Sequence, residues 1–306
     1  MWRVLVTDGL DEQGLALLSE AAQVFESSSL DSLAESDALI VRSRTKVSAQ
    51  VIESAGSRLK VVGRAGVGVD NIDLEAAKAR GLTVVNAPEA PSVAVAELTL
   101  GLMLALARQI PFADASMRRA EWRKAELHGS ELAGKTLGII GVGRIGAAVA
   151  SRAAAFGMRV LGHDPLLTAE ELQRRGTEPT SFKTLLAESD YICLHLPLND
   201  DTRGLIGRDA LKRMKSGARL ISAARGGIVD EAALLQALES GHLAGAALDV
   251  FAEEPPGDSP LNRHPKVVLT PHIGAQTQEA QSKAARDIAM EVLAALRGEP
   301  LRWRIV

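Results

Sequence analysis

A chain of 306 residues is long enough for two domains, and with 46% hydrophobic residues it can bury a core in each. A formal net charge of −3 leaves no basic surplus for nucleic acid and no acidic run for a basic partner, so small-molecule ligands are expected. The single cysteine, Cys193, excludes an internal disulfide and fits a reducing compartment, and the N-terminus enters a strand without a basic start or cleavage site; a cytoplasmic protein without a membrane segment is expected.

In the first part of the chain, β-branched runs at residues 4–6, 38–41, 60–63 and 82–85 alternate with helical stretches at 11–21 and 73–80. That alternation predicts a parallel α/β sheet. The glycine-rich turn from Gly63 to Asn71 follows a strand and resembles a dinucleotide site, but the next strand ends in Asn86 rather than an acid, so the ribose partner is missing. Its backbone N–H groups can instead hold a small carboxylate or phosphate, or the glycines serve only the turn. A long helical region at residues 93–122 follows. Its apolar part, 93–107, is interrupted by Glu97 and is too short to cross a bilayer. The stretch from Met117 to Ala125 has the aromatic and basic content of an arm reaching a partner, or of a solvated helix face.

The strand–turn–helix pattern restarts at Lys135 with the run Thr136-Leu-Gly-Ile-Ile-Gly141-Val-Gly143-Arg144-Ile145-Gly146. Gly141 permits a tight turn, Gly143 lets backbone approach a pyrophosphate, and Gly146 lets the following helix lie close to the strand. A second strand at 158–161 leads to Asp164, at the spacing where the fingerprint places its acid. A carboxylate there accepts from both ribose hydroxyls of NAD and repels the 2′-phosphate of NADP, so NAD is the expected cofactor. Further strands are predicted at 191–194, which buries Cys193, and at 219–222, 244–248 and 267–269. Just past the last three of these lie Arg225, then Asp249 and Glu254, then His272. Ligands of open α/β sheets bind past the carboxyl ends of strands, so Arg225, Glu254 and His272 can converge on the cofactor. Singly, each has a plain alternative: a carbonyl cap, a solvated charge, a structural histidine. The spacing of His128, His163, His195, His242 and His264 predicts no metal site. A last helix at 277–296 leads to a strand-like tail at 301–306, expected to return to the first unit.

These motifs together resemble the D-2-hydroxyacid dehydrogenase family, and within it the phosphoglycerate dehydrogenase branch. The similarity runs through Val41-Arg42-Ser43-Arg44-Thr45-Lys46-Val47, the Gly63 to Asn71 turn, Ala96-Glu97-Leu98, Ala107 to Pro111, Gly134 to Gly138, the cofactor fingerprint, Ala224 to Glu231, Ala246 to Phe251 and Thr270-Pro271-His272. The resemblance implies an α/β protein of two Rossmann-like or flavodoxin-like domains with parallel sheets, its active site in the interdomain cleft. Residues 1–95 plus 277–306 would form the substrate domain and 96–276 the NAD-binding Rossmann domain.

The resemblance also implies roles. His272 would be the acid and base at the C2 oxygen, Glu254 its hydrogen-bonded partner, and Arg225 the clamp on the substrate carboxylate. Ala223, Asp249, Gly274 and Ala275 would contact the nicotinamide, Leu196 and Pro197 would border the adenosine, and Val67 would touch cofactor and substrate. Arg42, Ser43, Arg44 and Arg64 would face a substrate phosphate, with Val67 and Gly68 N–H groups toward the carboxylate. The implied reaction is NAD-dependent oxidation of D-3-phosphoglycerate to 3-phosphohydroxypyruvate, the first step of serine synthesis. The implied assembly is a homodimer paired through the NAD domain, and the form is a short one without a serine-binding regulatory module, hence without serine feedback. A hydroxypyruvate or glyoxylate reductase is the nearer alternative, and an NAD-sensing scaffold or co-repressor the alternative of another class. Ser222, Pro91 and the terminal Arg302-Trp303-Arg304 depart from the branch's usual pattern.

Overall fold

The computed structural model describes residues 1–306. The chain divides into two compact units, Met1–Ser92 with Ala275–Val306, and Val93–Gly274. In the first, strands β1 (Trp2–Val6), β2 (Ala22–Glu26), β3 (Ala38–Val41), β4 (Val61–Arg64) and β5 (Thr83–Asn86) form a parallel sheet in the order β2-β1-β3-β4-β5. The β3 run Ala-Leu-Ile-Val is buried at every position. A strand covered on both faces has no polar side, which is why such runs do not alternate. The helix Gln278–Arg297 supplies part of that cover, with Ile288 and Val292 packed in one core with Val4, Val6, Ile40 and Val61. Asp11, Ser48, Asp73 and Thr277 each accept an N–H from the first turn of the helix they precede. Such a cap contributes about 1 kcal/mol.

In the second unit, β6 (Thr136–Ile140), β7 (Arg159–His163), β8 (Glu178–Pro179), β9 (Tyr191–Leu194), β10 (Arg219–Ser222), β11 (Gly245–Leu248) and β12 (Val267–Leu269) run parallel in the order β12-β11-β10-β9-β6-β7-β8. The order reverses between β6 and β9, and at such a switch point the loops part to leave a crevice. Successive residues of a strand face opposite sides. Tyr191 and Cys193 accordingly share a core with Leu137, Ile139, Met103 and Val149, while Ile192 and Leu194 join Leu185, Leu211, Leu220 and Leu234 on the other side. Burial raises the Cys193 thiol pKa, so the thiolate is disfavoured and the residue packs as a small hydrophobe.

Several expectations from sequence change in detail. The helical region of residues 93–122 is two helices, Ser92–Arg108 and Ile110–Arg118, broken at Gln109, whose φ of 53° is left-handed, just before Pro111. No single helix is long and apolar enough to cross a membrane; that pair passes by length and composition only when taken together, and it is bent by 66°. The stretch from Met117 to Ala125, expected as an arm or a solvated helix face, leaves the α-helix at Arg118 and regains only a short 3-10 turn at Lys124–Glu126, and Trp122 stands 78% exposed. Strand β2 was not expected, because Ala22 follows a helix without an intervening glycine or proline and the strand is an edge with only its first residue fully buried. The tail returns to the first unit: Ile305 N–H donates to Val84 (2.8 Å) and Arg304 bridges Val85 in antiparallel fashion, but it forms no full strand. The buried Glu291 carboxylate receives the N–H groups of Arg302 and Trp303, which holds the tail in place.

Candidate functional site

The cofactor turn is pinned to the end of β7. Gly141 donates its N–H to His163 (2.9 Å), and Val142 donates to the Asp164 carboxylate (3.0 Å). Gly141 has a φ of 86°, which only glycine adopts without strain. A Cβ at Gly146 would overlap the Gly141 carbonyl, whereas a Cβ at Gly143 would meet nothing within 4 Å. Open space in front of Gly143, at the N-terminus of the 12-residue helix Arg144–Ala155, is the room a pyrophosphate needs beside the positive end of a helix dipole. Asp164 uses one oxygen for Val142 and the other for Leu166 N–H (3.0 Å). Each carboxylate oxygen keeps a second lone pair, so ribose hydroxyls still find an acceptor. Arg144 and Ile145 open the helix, and Leu196 and Pro197 follow β9 on the neighbouring loop, where His195 donates its N–H to Ile140 (2.8 Å). The residues fit a dinucleotide. The second unit is a Rossmann dinucleotide-binding domain.

Three loops past β10, β11 and β12 carry the groups with acid, base and cation character. His272 Nδ1 lies 2.7 Å from Glu254 Oε2, and Glu254 Oε1 accepts from Phe251 N–H (3.1 Å). With Nδ1 engaged, Nε2 is the nitrogen left to exchange a proton with a ligand. His272 itself sits at a φ of 52°. A non-glycine residue in that region stores about 1–3 kcal/mol and persists only where its surroundings over-determine it. Asp249 supplies that constraint: its buried carboxylate accepts from Thr270 Oγ1 (2.6 Å), Ile273 N–H (2.8 Å) and Gly274 N–H (2.8 Å), on both sides of His272. Asp249, expected at the nicotinamide, braces the histidine loop in this structure. Arg225 follows β10 and donates from Nη1 to the Ala224 carbonyl (2.7 Å). A Cβ at the adjacent Gly226 would lie on the Phe251 carbonyl. Only glycine lets the Arg225 loop press against the loop bearing Glu254. Ala223 is half-buried on the same loop and Gly274 is buried.

In the first unit the expected anion-binding residues lie past two neighbouring strands, Arg42 to Arg44 after β3 and Arg64 to Gly68 at and after β4. The Arg42–Arg44 loop is organised by Asp8, which motif reading missed although it lies two residues past β1. The Asp8 carboxylate accepts from Arg42 N–H (2.7 Å), Thr45 N–H (3.1 Å) and Thr45 Oγ1 (2.7 Å). Burial works to raise its pKa, but those hydrogen bonds and the charge of Arg44 outweigh it, and the net shift is downward. Asn71 Nδ2 donates to the carbonyls of Arg42 (2.9 Å) and Thr45 (2.7 Å), tying the glycine-rich turn to the arginine loop. Asn86 Nδ2 donates to Val67 (2.6 Å). Burial lowers the Arg42 pKa, Asp8 acts against this and Arg44 with it; an arginine so displaced remains charged at neutral pH. Ser43 and Arg44 are exposed, Arg64, Val67, Gly68 and Ala275 half-buried.

His195 has a consequence for stability. Both ring nitrogens are shut off from solvent without a hydrogen-bond partner, and burial lowers its pKa from 6.5 to about 4. Between those values the unfolded chain binds a proton that the folded one does not, so stability falls as pH is lowered through the window. The loss reaches up to about 3 kcal/mol at the acid end. His195→Leu should therefore gain on the parent as pH falls, in urea-unfolding midpoints taken between pH 7 and 5; parallel curves would remove the buried imidazole as the cause.

Comparison with known proteins agrees with this geometry. Residues 100–274 match the model of the D-isomer specific 2-hydroxyacid dehydrogenase, NAD binding domain. The chain is 49% identical over 306 residues to a D-3-phosphoglycerate dehydrogenase of Methanocaldococcus jannaschii, covering 98% of this chain and 58% of that one. It thus spans well under two thirds of that relative's length. Among solved structures, a glyoxylate reductase from Paecilomyes thermophila superposes with a TM-score of 0.91 at 32% identity, over 99% of this chain and 98% of that one. A D-lactate dehydrogenase from Aquifex aeolicus, complexed with NAD and lactic acid, superposes with a TM-score of 0.85 at 30% identity, over 97% and 96%. The chain belongs to the D-isomer specific 2-hydroxyacid dehydrogenase family, and carries its NAD-binding domain.

Proposed function

We propose that this chain oxidises D-3-phosphoglycerate to 3-phosphohydroxypyruvate, the reaction that opens serine synthesis. The observation that carries the substrate is the arginine grouping of the first unit: Arg42 and Arg44 after β3, braced by Asp8, and Arg64 at the end of the adjacent β4. A doubly charged phosphate calls for such cations, and guanidinium groups meet its oxygens in pairs. An unphosphorylated 2-hydroxy acid has no use for them. The 49% identity to a D-3-phosphoglycerate dehydrogenase supports the same reading.

In this mechanism Arg225 binds the substrate carboxylate and polarises the C2 oxygen. His272 Nε2 takes the C2 hydroxyl proton during oxidation and returns it during reduction. Glu254, on Nδ1, fixes the plane of the ring. NAD+ bound at the Gly141–Gly146 turn supplies the hydride acceptor.

Comparing kcat/KM for NADH oxidation with 3-phosphohydroxypyruvate, hydroxypyruvate and glyoxylate tests the reading. A strong preference for the phosphorylated acid supports it. A preference for either unphosphorylated acid would make the chain a hydroxypyruvate or glyoxylate reductase, and NADH binding without turnover would point to a sensor. Arg42→Ala should raise KM for the phosphorylated acid by roughly 10- to 100-fold, the loss of a charge-assisted contact, with little change for hydroxypyruvate. Equal losses on both would make Arg42 structural.

A further inference from the structure

The cofactor fingerprint accounts for the N–H of Val142, which is held by Asp164. The carbonyl of Val142, in the next peptide, is held by a residue outside the fingerprint. Arg175 Nη1 donates to the Val142 carbonyl at 2.6 Å, across 33 residues of chain, and Val142 is fully buried. Arg175 is itself firmly placed. It caps the helix Ala169–Arg174, which begins in a Thr168–Glu171 capping box. Leu172 before it and Thr177 after it are buried, and Thr177 Oγ1 donates to the Leu172 carbonyl (3.0 Å). Gly176 passes beside Ala150 of the helix that starts at the cofactor turn.

The carbonyl of Val142 and the N–H of Gly143 belong to one trans peptide and point in opposite directions. Drawing the carbonyl toward Arg175 therefore aims the Gly143 N–H away from the guanidinium. We propose that Arg175 is a positioning residue for the dinucleotide: it holds the Val142–Gly143 peptide in the orientation that receives the pyrophosphate, and its charge adds to the anion-attracting field of the turn. Without it, a buried carbonyl loses its donor and the peptide is free to rotate, so the donors facing the pyrophosphate are no longer preorganised. Asp164 selects the ribose; Arg175 shapes the phosphate site from behind.

The test is NADH affinity, by fluorescence titration of the full chain, beside KM for the cofactor and kcat on whichever 2-keto acid is turned over. Arg175→Met keeps the apolar stem and removes the donors. It should weaken NADH binding roughly tenfold and raise KM for NADH alike, while kcat at saturating NADH stays near that of the parent. Arg175→Leu is measured in the same way if the methionine variant does not fold. An NADH affinity unchanged by the substitution would overturn the proposal, as would a fall in kcat matching the fall in affinity, because that is general distortion of the unit. Binding of NADH is read without any substrate, so the outcome is separate from whether 3-phosphohydroxypyruvate is the acid reduced.

Discussion

Replacing His272 with alanine is expected to lower kcat by roughly 100- to 10,000-fold, the usual loss when a positioned acid–base group is removed. NADH affinity should change little, because the Gly141–Gly146 turn and Asp164 follow strands β6 and β7, while His272 stands past β12. Free imidazole in the assay should restore part of the rate, since the space vacated by the side chain admits the same base. Glu254→Gln should give a smaller loss. It leaves the ring nitrogen with a neutral partner at the position where the structure places a carboxylate oxygen 2.7 Å away. The side chains of His272 and Glu254 are 45% and 37% exposed, so the variants remove chemistry rather than core packing. Turnover by the alanine variant equal to that of the parent would remove His272 from the mechanism.

The second large effect is expected at Gly146. Its substitution by alanine puts a methyl group onto the Gly141 carbonyl oxygen, which is backbone and cannot rotate away. The helix Arg144–Ala155 must then withdraw from β6, and overpacking of this kind costs about 1–3 kcal/mol. Withdrawal moves the helix N-terminus from the pyrophosphate, so NADH affinity should fall by roughly 10- to 100-fold along with stability. This separates Gly146 from Gly143, where a Cβ meets open space and alanine should affect the bound cofactor far more than the empty fold. Thermal melts with and without NADH distinguish the two. A Gly146→Ala protein that melts and binds NADH as the parent does would show that the helix and strand have slack there.

Much of this architecture was legible in the chain. The runs around residues 38–41 and 191–194 announce buried parallel strands because a strand covered on both faces has no polar positions, and the structure buries all of Ala38–Val41 and Tyr191–Leu194. The Gly141–Gly146 spacing and Asp164 also stood out, because close backbone approach and ribose recognition each demand one residue type at one place. Edge elements did not stand out: Ala22–Glu26 and Glu178–Pro179 are short, half-exposed and weakly patterned.

What only the tertiary structure decided is which polar side chains hold the site's own backbone. The resemblance implies a nicotinamide contact for Asp249, and the structure adds that its oxygens hold the loop around His272. Asp8 and Arg175 carry no motif, yet one braces the Arg42 loop and the other the Val142 peptide. The sequence by itself determined the strands, the turn and the residue types at the strand ends, because burial and backbone geometry act locally and leave periodic marks. The partners of those polar groups are separated by 34 residues for Asp8 and Arg42 and 33 for Val142 and Arg175. A hydrogen bond over such a distance is fixed by how strands are ordered and helices are packed, and no spacing along the chain records it.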